Sequence, residues 1–180
     1  MTSMKTGLKA TLVMSALLMA SAGTAAAQDA VAGSDVGAAP TVGATRLIDP
    51  AEVAAQLRRA DELMGAGQLA EARTLLVSLA DEQKVSSLSA AETYLKLAAV
   101  EHGEGRTQAA AAALDDAAAE AQQYKQPALE ARALLDAASV YSATRQHSKA
   151  QARLSRVSDL AGSPEISAEL RAEIQGRVRR

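Results

Sequence analysis

Downstream of Leu47, runs in which apolar residues recur three and four positions apart alternate with short breaks rich in Gly, Ser and Gln. Apolar positions at that spacing fall on one face of an α-helix. The breaks divide the runs into seven predicted helices. Asp49-Pro50 opens the first, a capping carboxylate before a proline at the first helical position, and "GAG" closes it near Gly65. The second covers about Leu69 to Lys84. Ser89 with Glu92 three residues on has the form of a capping box, so a third is expected from there to the "HGEG" break. The fourth occupies "GEGRTQAAAAALDDAAAEAQQY", Gly103 to Tyr124. Pro127 starts a fifth that ends near Ala143, a sixth covers about Ser148 to Ala161, and Ser163-Pro164 is expected to open a seventh that continues to the C-terminus.

Alternate helices share one stripe. Ala110, Leu114 and Ala117 stand at spacing 0, +4, +7, as do Ala72, Leu76, Leu79 and Ala150, Leu154, Val157. In the fourth helix the stripe continues through Ala121 to Tyr124, with Gln108, Asp115, Glu120 and Gln123 off it. Its alanines therefore read as a contact surface, small enough to let a paired helix approach closely. Composition sharpens this picture: 48% of the 180 residues are hydrophobic, yet Phe, Trp and Cys are absent and the only aromatics are Tyr94, Tyr124 and Tyr141. Packing must rest on Ala and Leu, which favours close helices over strands, where Ala is depleted. The lack of cysteine excludes disulfides, thiolate catalysis and Cys-based metal sites.

The stripe has a period: Ala72 and Ala110 are 38 residues apart, Ala110 and Ala150 are 40. Five residues before each of these alanines stand Gly67, Gly105 and Arg145, at a break. With "GQLAEA" (Gly67 to Ala72) and "YLKLAAVEHGEGRTQAAAAAL" (Tyr94 to Leu114), the region Pro50 to Gly162 resembles the tetratricopeptide repeat family. Tyr94, Ala98, Gly105, Ala110 and Leu114 match its spacing, and so do Leu134, Ala138, Tyr141, Ala150 and Leu154 in the next unit. The resemblance implies an all-α fold, an α-solenoid of about three helix-turn-helix repeats, with the last helix as a cap over the final apolar face. It also implies binding of a protein or peptide segment in a concave groove lined by the first helix of each pair.

Upstream of the helices the chain is of another kind. Lys5 and Lys9, the apolar run "ATLVMSALLMASA" and the small residues ending at Ala27 have the three regions of a secretory signal peptide, with cleavage expected between Ala27 and Gln28. The apolar run is too short for a stable membrane span. Residues 28–46, Ala- and Gly-rich without periodicity, read as a flexible linker. The repeat domain is then residues 47–180, in a chain exported to the periplasm or beyond. Charge divides the chain as well: residues 46–144 carry 9 basic and 15 acidic side chains, residues 145–180 carry 8 basic and 4 acidic. That balance argues against nucleic acid as a general partner.

Candidate chemistry is sparse. His102 and His147 lie at breaks and make at most an incomplete metal site. Asp115-Asp116 and Asp81-Glu82 are adjacent, hence about 100° apart around a helix, and read as solvated charges, not a facing acid/base dyad. No nucleophile elbow or phosphate-binding loop is present, so neither catalysis nor a cofactor is expected. The partner-binding set read from the register is Leu57, Asp61 and Met64 in the first unit, Glu92, Leu95, Ala99 and His102 in the second, and Arg132, Leu135, Ser139 and Ser142 in the third. Leu57, Leu95 and Leu135 are the expected anchors for an apolar or amphipathic segment. A self-assembling structural protein of the cell envelope, pairing with copies of itself through the same faces, is the alternative.

Overall fold

Asp49 Oδ1 accepts the Glu52 amide at 2.8 Å and Pro50 takes the first helical position, so α1 (Pro50–Gly65) begins where the sequence places it. The structure, a computed structural model, describes residues 47–179. The expected signal peptide and linker lie outside the described residues. After α1 come α2 (Leu69–Val85), α3 (Ala91–Gly103), α4 (Thr107–Gln123), α5 (Pro127–Ala143), α6 (His147–Leu160) and α7 (Ala168–Val178). The described residues are all-helical, with no strand among them.

Two helix starts differ from the sequence expectation. The Ser89/Glu92 capping box does not form: the cap residue of α3 is Ala90, which has no side chain to accept an amide, and the Ser89 hydroxyl reaches only the Ala91 amide, at 3.4 Å. Ser89 is engaged elsewhere, its hydroxyl donating to Gln126 Oε1 at 2.7 Å while its carbonyl accepts from Gln83 Nε2 at 2.7 Å. Ser163-Pro164 does not open α7, which starts at Ala168 behind Ser167, whose hydroxyl accepts the Leu170 amide at 3.2 Å. The intervening residues instead wrap inward: Ile166 is buried, and the Arg171 guanidinium donates to the carbonyls of Ala161, Ser163 and Ile166 at 2.9 to 3.2 Å.

The five turns from α1 to α6 share one geometry. In the first, the Gly67 amide donates to Met64 O and the Gln68 amide to Leu63 O, the paired bonds of a Schellman motif. The same pair recurs at Ser87/Leu88, Gly105/Arg106, Lys125/Gln126 and Arg145/Gln146. Each motif needs one residue with φ near +60°, and these are Gly67 (74°), Ser87 (55°), Gly105 (75°), Lys125 (55°) and Arg145 (59°). Arg145 thus occupies the conformation that Gly67 and Gly105 adopt, despite its side chain.

Each helix packs against the next in sequence, and the odd-numbered helices also contact one another, α1 on α3, α3 on α5 and α5 on α7. Even-numbered helices make no such contact, so the stack is tighter on the odd side. The expected stripe is buried in α2 (Ala72, Leu76, Leu79) and in α4 (Ala110, Leu114, Ala117, Ala121); in α6, Ala150 and Val157 are buried and Leu154 is half-buried. In α4 the buried surface is wider than the stripe, for Ala111, Ala113 and Ala118 are buried too. The reason is position: α4 packs closely on both α3 and α5, and only Ala112 and Ala119 among its central alanines face solvent. Small side chains permit that double contact, while Leu76, Leu79, Val100, Leu135, Val157 and Ile174 supply the largest buried apolar volumes, each contributing roughly 1.5–3 kcal/mol.

Candidate interaction groove

The tighter, odd-numbered side of the stack carries a groove of about 840 Å³. Spacings of three and four along each helix aim one face into it: Asp61 and Met64 from α1, Glu92, Leu95, Lys96 and Ala99 from α3, Leu129, Arg132 and Asp136 from α5, with Leu170 and Glu173 of α7 at its end. A second depression of about 410 Å³ continues from it between α3, α4 and α5. This crevice is mainly apolar, walled by Ala98, Ala110, Leu114, Val140 and Ala143, with His102 and Ser139 among its few polar residues. Leu95, Ala99 and Asp136 belong to both depressions, which makes them one continuous surface.

Of the residues singled out in the sequence, Asp61, Met64, Glu92, Leu95, Ala99, His102, Arg132 and Ser139 line this surface. Leu57 and Leu135 do not. Leu135 is only 1% exposed, on a helix that α7 packs against, and Leu57 joins Ala60 and Leu63 on the buried face of α1. On α5 the groove face runs through Arg132, Asp136 and Ser139, at 0, +4 and +7, so the expected anchor is off by one residue and turned into the core. Ser142 is exposed and lines a neighbouring hollow with Ser139, His147 and Arg177. Lys96 and Asp136 were legible as +4 partners of Glu92 and Arg132. The contribution of α7 was not, because a terminal helix reads from its sequence only as a cover.

Charge in the groove is mostly negative. Asp61, Glu92, Asp136, Glu169 and Glu173 line it against Lys96 and Arg132. Lys96 Nζ is held by Asp61 at 2.6 Å, bridging α3 to α1, and Arg132 lies 3.9 Å from Asp136. Arg177, which hydrogen-bonds Ser139, reaches Glu173 at 3.4 Å. Glu92 and Glu169 have no cation within salt-bridge distance among the described residues. The Asp136 carboxyl is pushed above the ordinary carboxylate range, first by burial and further by Glu173, against the pull of Arg132 and Arg177.

Other ionisable clusters serve the fold. Asp115, expected to be solvated, takes the Arg153 guanidinium in a two-pronged contact at 2.9 and 2.7 Å and accepts the Tyr141 hydroxyl at 2.7 Å, joining α4, α5 and α6. Burial alone would raise its pKa; the Arg153 and Tyr141 hydrogen bonds outweigh that and hold it low. Its neighbour Asp116 is exposed, as is Asp81. Glu101 is buried between Arg73 of α2 and Arg106 of the following turn, and Glu130 is buried against Arg156 at 2.8 Å. Each of these carboxylates is met by an arginine from another helix or turn. His102 and His147 are both exposed, and no three His, Asp or Glu side chains among the described residues are grouped to hold a metal ion. Nor is any described helix long and apolar enough to cross a membrane.

No protein-family model, curated protein or solved structure matches this chain.

Proposed function

We propose that this chain is an exported helical-repeat scaffold, a tetratricopeptide-like α-solenoid of three helix pairs capped by α7, that holds a protein or peptide segment in the groove of its odd-numbered helices. The observation that carries the reading is the continuity of the groove with its apolar crevice through Leu95, Ala99 and Asp136. A binding surface needs apolar area for affinity and placed polar groups for orientation, and here both lie on rigid helices. The sequence resemblance supports the same mode of action, and the signal-peptide pattern upstream supports export. The scaffold acts by holding, without catalysis or a cofactor. Leu95, half-buried, remains as the apolar anchor once Leu57 and Leu135 are assigned to the core.

Ala99 supplies the test, because it is exposed and borders both depressions. Ala99→Trp fills the junction without entering the core. Peptides selected from a displayed random library on the wild-type chain are expected to share a pattern and to lose binding to Ala99→Trp, whose melting temperature stays within a degree or so of wild type. Selection that returns no shared pattern, or peptides indifferent to the substitution, would remove the groove from consideration.

A further inference from the structure

We infer that the segment received by this groove is cationic and amphipathic, with Lys or Arg side chains beside an apolar residue that enters the crevice. The inference rests on the groove being a binding surface and adds the chemistry of its occupant. Of the five carboxylates on the groove wall, Asp61 and Asp136 are met by Lys96 and Arg132, and Glu173 by Arg177. Glu92 and Glu169 are left without a cation on the same groove wall, one on α3 and one on α7. A concave wall with low-dielectric sides focuses such a field, so its attraction for a positive chain exceeds what scattered surface carboxylates would give. An anionic segment is disfavoured for the same reason.

The apolar half of the surface selects further. Leu95 and Ala99 lead from the acidic groove straight into the crevice walled by Ala98, Leu114 and Val140. Asp136 stands at the junction, where its carboxyl is partly withdrawn from water beside Glu173. A cation arriving there meets a half-exposed carboxylate that Arg132 approaches only to 3.9 Å, and the side chain next to it reaches apolar cover. A purely basic, hydrophilic strand would leave that crevice wet. A purely apolar one would strand the carboxylates.

The experiment uses the full chain and three labelled synthetic peptides of equal length, one of Lys, Leu and Ala, one with each Lys replaced by Glu, and one with each Lys replaced by Ser, read by fluorescence anisotropy. The Lys peptide is expected to bind, more weakly as salt rises through the range where the Debye length shrinks below about 10 Å, and the Glu and Ser peptides to bind far less. In the double variant Glu92→Gln/Glu169→Gln, binding of the Lys peptide should fall about tenfold while the melting temperature is kept. Ala99→Trp should abolish it. Equal binding of all three peptides, lost with Ala99→Trp, would keep the groove and overturn its cationic preference. Binding of none, or binding of the Lys peptide that ignores Ala99→Trp, would overturn the groove as well. Self-association by light scattering that disappears in Glu92→Gln/Glu169→Gln would assign the surface to a second copy of this chain, whose 145–180 region is basic, and overturn a separate cationic partner.

Discussion

Replacing Lys125 and Arg145 by glycine should stabilise this protein, although both substitutions remove a long side chain and add none. Each residue sits at φ between 55° and 59°, where an L side chain crowds its own carbonyl. That crowding costs roughly 1–2 kcal/mol, and glycine escapes it. Glycine in turn loses more freedom on folding, roughly 0.4–1 kcal/mol. The difference leaves a gain of about 0.5–1 kcal/mol at each turn. Neither side chain offsets this, for no hydrogen bond or ion pair is made by the Lys125 ammonium or the Arg145 guanidinium among the described residues. The two turns are far enough apart in sequence, and share no partner, so Lys125→Gly/Arg145→Gly should gain about 1–2 kcal/mol. For a domain of this size that raises the melting temperature by roughly 3–8 °C.

The reciprocal change is the control. A Cβ at Gly105 would meet no atom within 4 Å, so Gly105→Ala tests backbone conformation alone and should cost about 1 kcal/mol. Circular dichroism melts and urea titrations of the two variants supply the free energies. Loss of stability in Lys125→Gly/Arg145→Gly, together with a neutral Gly105→Ala, would refute the reasoning.

The remaining predictions concern packing, charge and processing. Ala117→Leu, at 1% exposure between two helices, should lose about 1–3 kcal/mol through overpacking, whereas Ala112→Leu on the outer face of α4 should be nearly neutral; equal melting shifts would mean that the buried face of α4 is misassigned. Asp115→Asn should cost about 1–2 kcal/mol at neutral pH. Because the folded carboxyl titrates below its unfolded value of about 3.9, that contribution is complete above about pH 4 and fades as the pH falls toward the folded pKa, so wild type and variant should converge in acid melts. A gap that persists or widens in acid would assign the effect to something other than the ion pair. N-terminal sequencing of exported protein should begin at Gln28, and recovery of an uncleaved chain would refute the signal-peptide assignment.

Helix positions were legible because their signals are local. Asp49-Pro50, Pro127 and the Gly67 and Gly105 breaks act within a turn of themselves, and periodicity needs no knowledge of what the face will meet. The late start of α7 was not legible, since it depends on Ile166 being drawn into the core and on Arg171 binding three carbonyls upstream. Ser89 was misread for the same kind of reason: its hydroxyl serves Gln126, 37 residues away. Groove residues were found where one helix face is enough to define them. The Leu135 anchor failed because a one-residue step of about 100° separates groove from core, and only the position of the packed neighbour decides between the two.

Asp115 shows the same limit in electrostatics and explains why acidic pairs are poor guides to chemistry in a helical stack. Along the sequence it is half of Asp115-Asp116, two equivalent charges on an alanine-rich helix. In the fold the two diverge, because residues a hundred degrees apart on α4 meet different surroundings: one faces Tyr141 and Arg153, the other water. Buried Glu101 and Glu130 are likewise held by arginines from other helices or turns. In a core without Phe or Trp, such long arginine side chains span gaps that alanines leave at helix edges, and their charge must then be met by a carboxylate. Two carboxylates of the odd-numbered groove stand apart from this scheme, since Glu92 and Glu169 line it with no arginine or lysine of the described residues within salt-bridge distance. An acid that stiffens the stack can therefore be separated from one free to meet a partner by the cation beside it, which is a property of tertiary packing and not of spacing.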